Sequence, residues 1–283
     1  MQLGNLTISM LDGGGLWLDG GCMFGIIPKP LWSRLVHVDE MNRIPLGTTC
    51  FLVEANGQRI LVETGCGESA KYDEKERGFF KFGAHWIVPA LEAAGVSREE
   101  IDLVVLTHLH FDHAGGATMA DGKGGWKPTF PRAKYIVQRG EWDDAVSGHV
   151  VMSGTYRKEN LEPLERAGAL SFAAGDAEIV PGLGVRVLPG HTRHQQAVIF
   201  ADAGRSALLP ADLMPTSAHL GLRYNMAYDL LPFENMRNKD RLLAEASAHN
   251  QTLLLGQDPV HAVWDVRREP TGRYSLTPYS LAI

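Results

Sequence analysis

The chain is poor in cysteine: Cys22, Cys50 and Cys66 are its only three, odd in number and far apart. That pattern excludes a disulfide framework and a Cys-x-x-Cys zinc site, and it fits a reducing cytoplasm. There is also no basic run or arginine-rich stripe. The net charge is −6, with both signs mixed along the chain, so the electrostatics argue against nucleic acid as a partner. No apolar run approaches the roughly 20 residues of a membrane-spanning helix, so no membrane partner is expected. The first residues, Met1 to Thr7, lack the basic region and apolar segment of a signal peptide. A length of 283 residues suits one large domain or two small ones. A hydrophobic share of 45% is enough to build a substantial core.

The most informative stretch runs from Leu103 to Gly116. Its apolar start, Leu103 to Leu106, reads as a buried strand. The strand leads into His108, His110, Asp112 and His113, followed by Gly115 and Gly116. In extended backbone His108 and His110 point to the same side, and a turn then brings Asp112 and His113 round. The glycine pair lets the backbone bend tightly and start a helix close by. Imidazole and carboxylate converging at one strand end suit Zn²⁺, Fe²⁺ or Mn²⁺. Burying those groups without metal or partners would cost several kcal/mol each, on the order of 2–7.

Around this stretch the chain reads as α/β. Thr49–Glu54 and Arg59–Glu63 form a hairpin through Ala55–Gln58. His85–Ala94 is an amphipathic helix closed by Gly95, and Ser97–Glu100 resembles a capping box. Tyr135–Gln138 is a strand, Glu141–Ala145 starts a helix, and Tyr156–Leu164 reads as a helical insertion over the site. Val185–Leu188 is a strand followed by Pro189, Gly190, His191 and Thr192. A second hairpin, 197–201 with 206–209, ends in Pro210, Ala211 and Asp212. Asn235–Ala248 has helical apolar spacing at Met236, Leu242, Leu243 and Ala246. Thr252–Leu255 is the last core strand, and Val263–Tyr274 a closing hairpin. His149 reads as a surface histidine, and His194 as a structural residue or a support for the ligands. The N-terminal segment, about 11–35, is rich in glycine yet carries Met23, Phe24, Ile26, Ile27, Leu31 and Trp32. It reads as a loop packed on the core or bordering the active site.

The His108 to His113 stretch resembles the His-x-His-x-Asp-His signature of the metallo-β-lactamase superfamily, and the resemblance extends over nearly the whole chain. It implies an αββα sandwich, two mixed β-sheets flanked by helices, as a single domain over 1–283. It implies two divalent metal ions, zinc first, with iron, manganese or cobalt as alternatives. The metal ligands would be His108, His110, Asp112 and His113, then His191 in its Gly-His-Thr context, and Asp212 as the bridging aspartate. Glu63 stands where the family usually has aspartate, and its carboxylate would orient a ligand histidine. The family usually has glycine where Ala211 stands.

The main departure is Gln257, which stands where related sequences carry the histidine that completes the second metal site. A glutamine oxygen is a weaker, neutral ligand, so the second site is expected to be weak. His261, four residues on, is the alternative ligand. The tyrosine that related lactonases keep a few residues after the bridging aspartate is absent from Leu213 to Thr216. Tyr224, Tyr228 and His219 are the candidates to donate to a developing oxyanion. Asp112 would orient a metal-activated hydroxide and protonate the leaving group.

The N-terminal segment and the Gly-His-Thr context resemble the lactonase-like branch. The expected activity is therefore metal-dependent hydrolysis of a carboxylic ester, a lactone foremost, with a small-molecule substrate and a homodimer as in that branch. A glyoxalase II-like thioesterase, a β-lactamase and a phosphodiesterase are the alternative activities. A ligand-binding member with a reduced metal site and little or no activity is the alternative from another class.

Overall fold

Period-two alternation of apolar residues builds two sheets, each of seven strands. The structure is a computed structural model describing residues 1–152 and 154–279. The first sheet has the order Gln2–Leu3, Leu6–Asp19, Arg43–Ala55, Gln58–Val62, Leu103–Val105, Lys134–Gln138, Leu170–Ala173. Its first four strands pair antiparallel and the rest join in parallel. The second sheet has the order Ala177–Val180, Leu183–Val187, Gln196–Asp202, Arg205–Leu209, Thr252–Leu254, Val263–Arg268, Tyr274–Pro278. Only the Arg205–Leu209 and Thr252–Leu254 pair is parallel there.

Alternation decides which face each side chain takes. Phe51, Val53, Val62 and Val105 of the first sheet meet Val198, Phe200, Leu209 and Leu254 of the second in a shared apolar layer. Their neighbours Cys50, Leu52, Leu61 and Val104 point the other way, under the helix Ile87–Ala93. On the far side Leu208 and Leu253 pack with Leu242, Leu243 and Ala246 of the helix Pro232–Ala248. The result is helix, sheet, sheet, helix, the αββα sandwich expected from the sequence. Both predicted hairpins, the capping box at Ser97 and the closing hairpin are present. No helix among the described residues is long and apolar enough to cross a membrane.

Two expectations need correction. The glycine-rich segment is not a loop throughout: strand Leu6–Asp19 runs through Gly13, Gly14 and Gly15, with a register shift between Asp12 and Gly15. Gly13 is required because a Cβ there would sit 2.2 Å from the Thr48 carbonyl oxygen of the paired strand. After the strand, Met23, Phe24 and Trp32 pack with Leu16, Tyr72 and Phe111 in an apolar cluster beside the His108–His113 stretch. The second correction concerns Tyr156–Leu164. Helix Lys158–Arg166 buries Leu161 and Leu164 in the core under the first sheet and is no lid, although Tyr156 before it does reach the site.

Candidate metal centre

The strand Leu103–Val105 ends beneath Thr107, His108, Leu109 and His110, and one helical turn, Phe111–Ala114, carries Asp112 and His113. The glycine pair follows this turn and does not start it. A Cβ on Gly115 would lie 2.1 Å from the Cys66 carbonyl oxygen, and one on Gly116 2.2 Å from that of Thr64. Glycine therefore lets the turn lie flat against residues 64–66. From the second sheet, the segment after Leu183–Val187 supplies His191, and the turn Ala211–Leu213 supplies Asp212. The segment after Thr252–Leu254 supplies Gln257.

These side chains form two overlapping donor groups. His108, His110 and His191 are one, and His108, His113 and Asp212 the other, each with its ligand atoms within 4.8 Å of one another. His191 Nε2 lies 2.9 Å from His110 Nδ1. Asp212 spans the groups, with Oδ2 3.4 Å from His191 Nε2 and Oδ1 3.2 Å from His113 Nε2. Asp112 Oδ2 is 3.6 Å from His113 Nε2. The Gln257 amide donates to Asp112 Oδ2 at 2.6 Å and lies 3.1 Å from His113 Nε2. Among the described residues, buried His108 Nε2 and Gln257 Oε1 have no hydrogen-bond partner. Imidazole and carboxylate atoms converging in this way, with a buried orphan nitrogen among them, fit divalent metal ions.

The ligands are held from behind. Glu63 accepts from His113 Nδ1 at 2.7 Å and, with its other oxygen, from the Thr107 backbone N–H at 2.7 Å. Asp229 accepts from His191 Nδ1 at 3.0 Å, and Thr107 Oγ1 pairs with His108 Nδ1 at 3.0 Å. Such contacts fix ring orientation and tautomer. The structure thus gives Glu63 the supporting contact expected of it. Asp229 and Thr107 were not identified from the sequence. Asp229 lies 38 residues from its partner, and no local spacing announces it.

The buried carboxylates and imidazoles set each other's charge. Burial, helped by the neighbouring imidazoles, pushes His108 and His110 well below the ordinary histidine value, so both are neutral and ready to ligate. Burial also acts against charge on His113 and His191. There the carboxylates win: Asp212, Asp112 and Glu63 raise His113 well above its usual value, and Asp212 with Asp229 raises His191. Burial alone would raise Asp212, yet His113 and His191 hold it down at about 2. Burial raises Asp112.

Without metal, protons on His113 and His191 do the cation's work, and a pH dependence follows. Their contribution to stability is fully present below the ordinary value of 6.5 and is lost as pH rises through their raised folded values. His108 and His110 act in the opposite sense. The unfolded chain takes up their protons below 6.5 while the folded one does not, so stability falls as pH falls. Metal-stripped protein should therefore be most stable near that value in thermal melts across pH. Zinc should remove the alkaline decline, and binding should release protons, seen as a buffer-dependent heat.

The remaining candidates separate clearly. Tyr228 lines a cavity of about 350 Å³ that also reaches His110, Asp112, His191, Asp212 and Gln257. Tyr224 does not line it: its ring packs edge-on against Phe24 and borders a different cavity, with Ile26 and Leu31. His219 is buried and stacked on Phe24 at 4.6 Å. Both its ring nitrogens are engaged, by Thr216 Oγ1 at 2.7 Å and the Met23 carbonyl at 2.9 Å, so it is a structural histidine. His261 lies outside the cluster. The Asp258 carboxylate accepts from the Val260 and His261 backbone N–H groups, and the exposed His261 ring packs edge-on against Trp264 at 5.5 Å. His149 is exposed, and His194 sits 3.9 Å from Asp144, away from the metal ligands.

Ala211, before Asp212, has φ +53°, a left-handed conformation that costs an alanine about 1–2 kcal/mol. Glycine relieves this and gives back roughly 0.5–1 kcal/mol in chain entropy. Ala211→Gly should thus stabilise the fold by up to about 1 kcal/mol, read as a higher urea midpoint at unchanged slope.

The model of the metallo-beta-lactamase superfamily matches residues 43–257 of this chain. An N-acyl homoserine lactonase of Bacillus cereus is 31% identical over 182 residues, covering 60% of this chain and 65% of that protein. The N-acyl homoserine lactonase AttM of Agrobacterium fabrum is 29% identical over 177 residues, 61% of this chain and 64% of that protein. The aligned part thus spans just under two thirds of these curated relatives. A probable metal-dependent hydrolase from Staphylococcus aureus has a closely similar structure, with a TM-score of 0.90, 27% identity and full coverage of both chains. AidC, a dizinc quorum-quenching lactonase, shares the fold at a TM-score of 0.80 and 17% identity, over 100% of this chain and 97% of its own. Helix, sheet, sheet, helix with the ligand series at the strand ends is the arrangement of that matched family, and the chain belongs to the metallo-β-lactamase superfamily.

Proposed function

We propose that this chain is a metal-dependent hydrolase of neutral carboxylic esters, with a lactone as its substrate. The observation that carries the reading is the character of the cavity that opens onto the ligands. Its walls include Leu18, Met23, Phe79, Phe80, Phe111 and Met226, and no lysine or arginine lines it among the described residues. Bound metal ions could meet the phosphate of a phosphodiester, but the carboxylates of β-lactams and glutathione thioesters stand off the reacting carbonyl and call for cationic side chains as well. A lactone with an apolar substituent needs none. The curated relatives named N-acyl homoserine lactonases support the same choice.

His108, His110 and His191 would hold one metal, and Asp112, His113 and Gln257 the second, with Asp212 shared. Zinc is the metal the donor set suits best, and when bound it lowers the pKa of a water and polarises a carbonyl oxygen. Asp112 borders the cavity beside the proposed metal positions, where its carboxylate would accept a proton and pass it to the leaving alkoxide. Tyr228 is 38% exposed, and partial desolvation together with the Cys22 thiol beside it raises its pKa, so it keeps its phenol proton and can donate to the ester oxygen. It would take the part of the tyrosine missing after Asp212. The apolar walls exclude water and hold the substituent.

The test is a panel assay on zinc-loaded protein. Neutral acyl lactones should be opened, while β-lactams and glutathione thioesters should be turned over about 100-fold less efficiently or not at all, the scale set by leaving a charge unpaired in an apolar site. Preference for an anionic substrate would sink the reading. A ligand-binding protein with a reduced metal site has one observation in its favour: the Gln257 N–H group lies between Asp112 and His113, where a second cation would act.

A further inference from the structure

Outside the ligands, one buried carboxylate contacts both chain segments that deliver the three-histidine group. Glu141 opens the helix Arg139–Ala145 and is fully buried. Its Oε1 accepts from the Leu109 backbone N–H at 3.1 Å and from the Tyr156 hydroxyl at 2.8 Å. Its Oε2 accepts from Thr192 Oγ1 at 2.6 Å. Leu109 lies between His108 and His110, and Thr192 follows His191. The Tyr156 ring in turn lies against that of His110, with centroids 4.8 Å apart.

A buried carboxylate costs several kcal/mol to desolvate, and an apolar residue of similar size would serve packing better. Here three donors converge on it, each from or beside a segment that carries a ligand histidine. Glu63 performs a comparable task, accepting from His113 Nδ1 and from the Thr107 backbone N–H beside His108. The three-histidine group thus has Asp229 behind His191 alone and Glu141 joining its two chain segments, while Glu63 stands behind His113.

We infer that Glu141 is a positioning residue of the three-histidine half of the metal centre, tying the segment of His108 and His110 to that of His191 through Leu109, Thr192 and Tyr156. It is not a ligand, since its oxygens are taken by those donors. The inference rests on the metal-hydrolase reading of the site.

The test is Co²⁺ binding to metal-stripped protein, read by its visible absorption and by competition with a chelator, in wild type, Glu141→Gln, Thr192→Val and Glu63→Gln. The glutamine variant keeps size and some acceptor capacity, and Thr192→Val removes a single hydrogen bond without changing shape, so the set stays readable if the first variant folds poorly. Glu141→Gln should weaken the tighter Co²⁺ by about 10- to 100-fold and shift its absorption bands. Thr192→Val should do the same by a smaller factor. Glu63→Gln should weaken chiefly the other ion, with a smaller effect on the first spectrum than Glu141→Gln. Glu141→Gln or Thr192→Val protein with wild-type Co²⁺ affinity and spectrum, changed only in melting temperature, would overturn the inference while leaving the proposed function standing. Wild-type protein that takes up no Co²⁺ would overturn both.

Discussion

Asp212→Ala should lower lactone turnover by about 10³-fold or more, the scale of losing some 4 kcal/mol of transition-state stabilisation. At saturating zinc it should also cut bound metal from two ions to one or none. Asp212 has its oxygens near both donor groups, at 3.4 Å from His191 Nε2 and 3.2 Å from His113 Nε2. Its removal separates the two metal positions. It also takes away the leading carboxylate that opposes burial at both His113 and His191. Elemental analysis beside kcat measures both effects, with circular dichroism to show that the variant folds. An Asp212→Ala protein that keeps two ions and full turnover would mean that the cluster is not the reacting centre.

Gln257→His is expected to act in the opposite direction. In the natural chain the Gln257 amide donates to Asp112 and leaves its own oxygen buried without a partner. An imidazole there would offer an aromatic nitrogen lone pair where the amide now presents N–H. The second metal should bind about 100-fold more tightly, a step at least as large as orienting contacts behind a ligand provide. At limiting zinc, turnover should rise; at saturating zinc, wild type and variant should converge. If the wild type already holds two ions tightly, Gln257 ligates through its oxygen after an amide flip, and the variant should gain little. If the variant gains a second ion but the wild type opens no lactone even at saturating zinc, the reduced-site reading takes over.

The sandwich and most of the converging histidine and aspartate cluster were legible in the sequence for a common reason: both depend on local periodicity. Leu103–Leu106 alternate into the two core faces, and the histidines follow at the strand's end in fixed spacing. What could not be read depends on contacts between distant segments. Asp229 meets His191 across a loop, and Glu141 meets Leu109 and Thr192 from the helix that follows the neighbouring parallel strand. His219 and His261 show the reverse failure. Each is a histidine in a segment near the site, but one has both nitrogens occupied by Thr216 and Met23, and the other is turned outward by the Asp258 carboxylate. Residue type suggested chemistry in both cases where hydrogen bonding assigns structure. The glycine-rich N-terminal stretch misled in another way. Its glycines mark close approach to a paired strand, and the strand continues through them.

The most direct measurement is the opening of a neutral N-acyl lactone by metal-stripped protein as zinc is returned, followed through the proton released. Stripped protein should be inactive, and activity should return as zinc fills the His108, His110, His191 and Asp212 positions. Zinc that binds without restoring opening of any neutral lactone, or opening that proceeds without metal, would contradict the assignment.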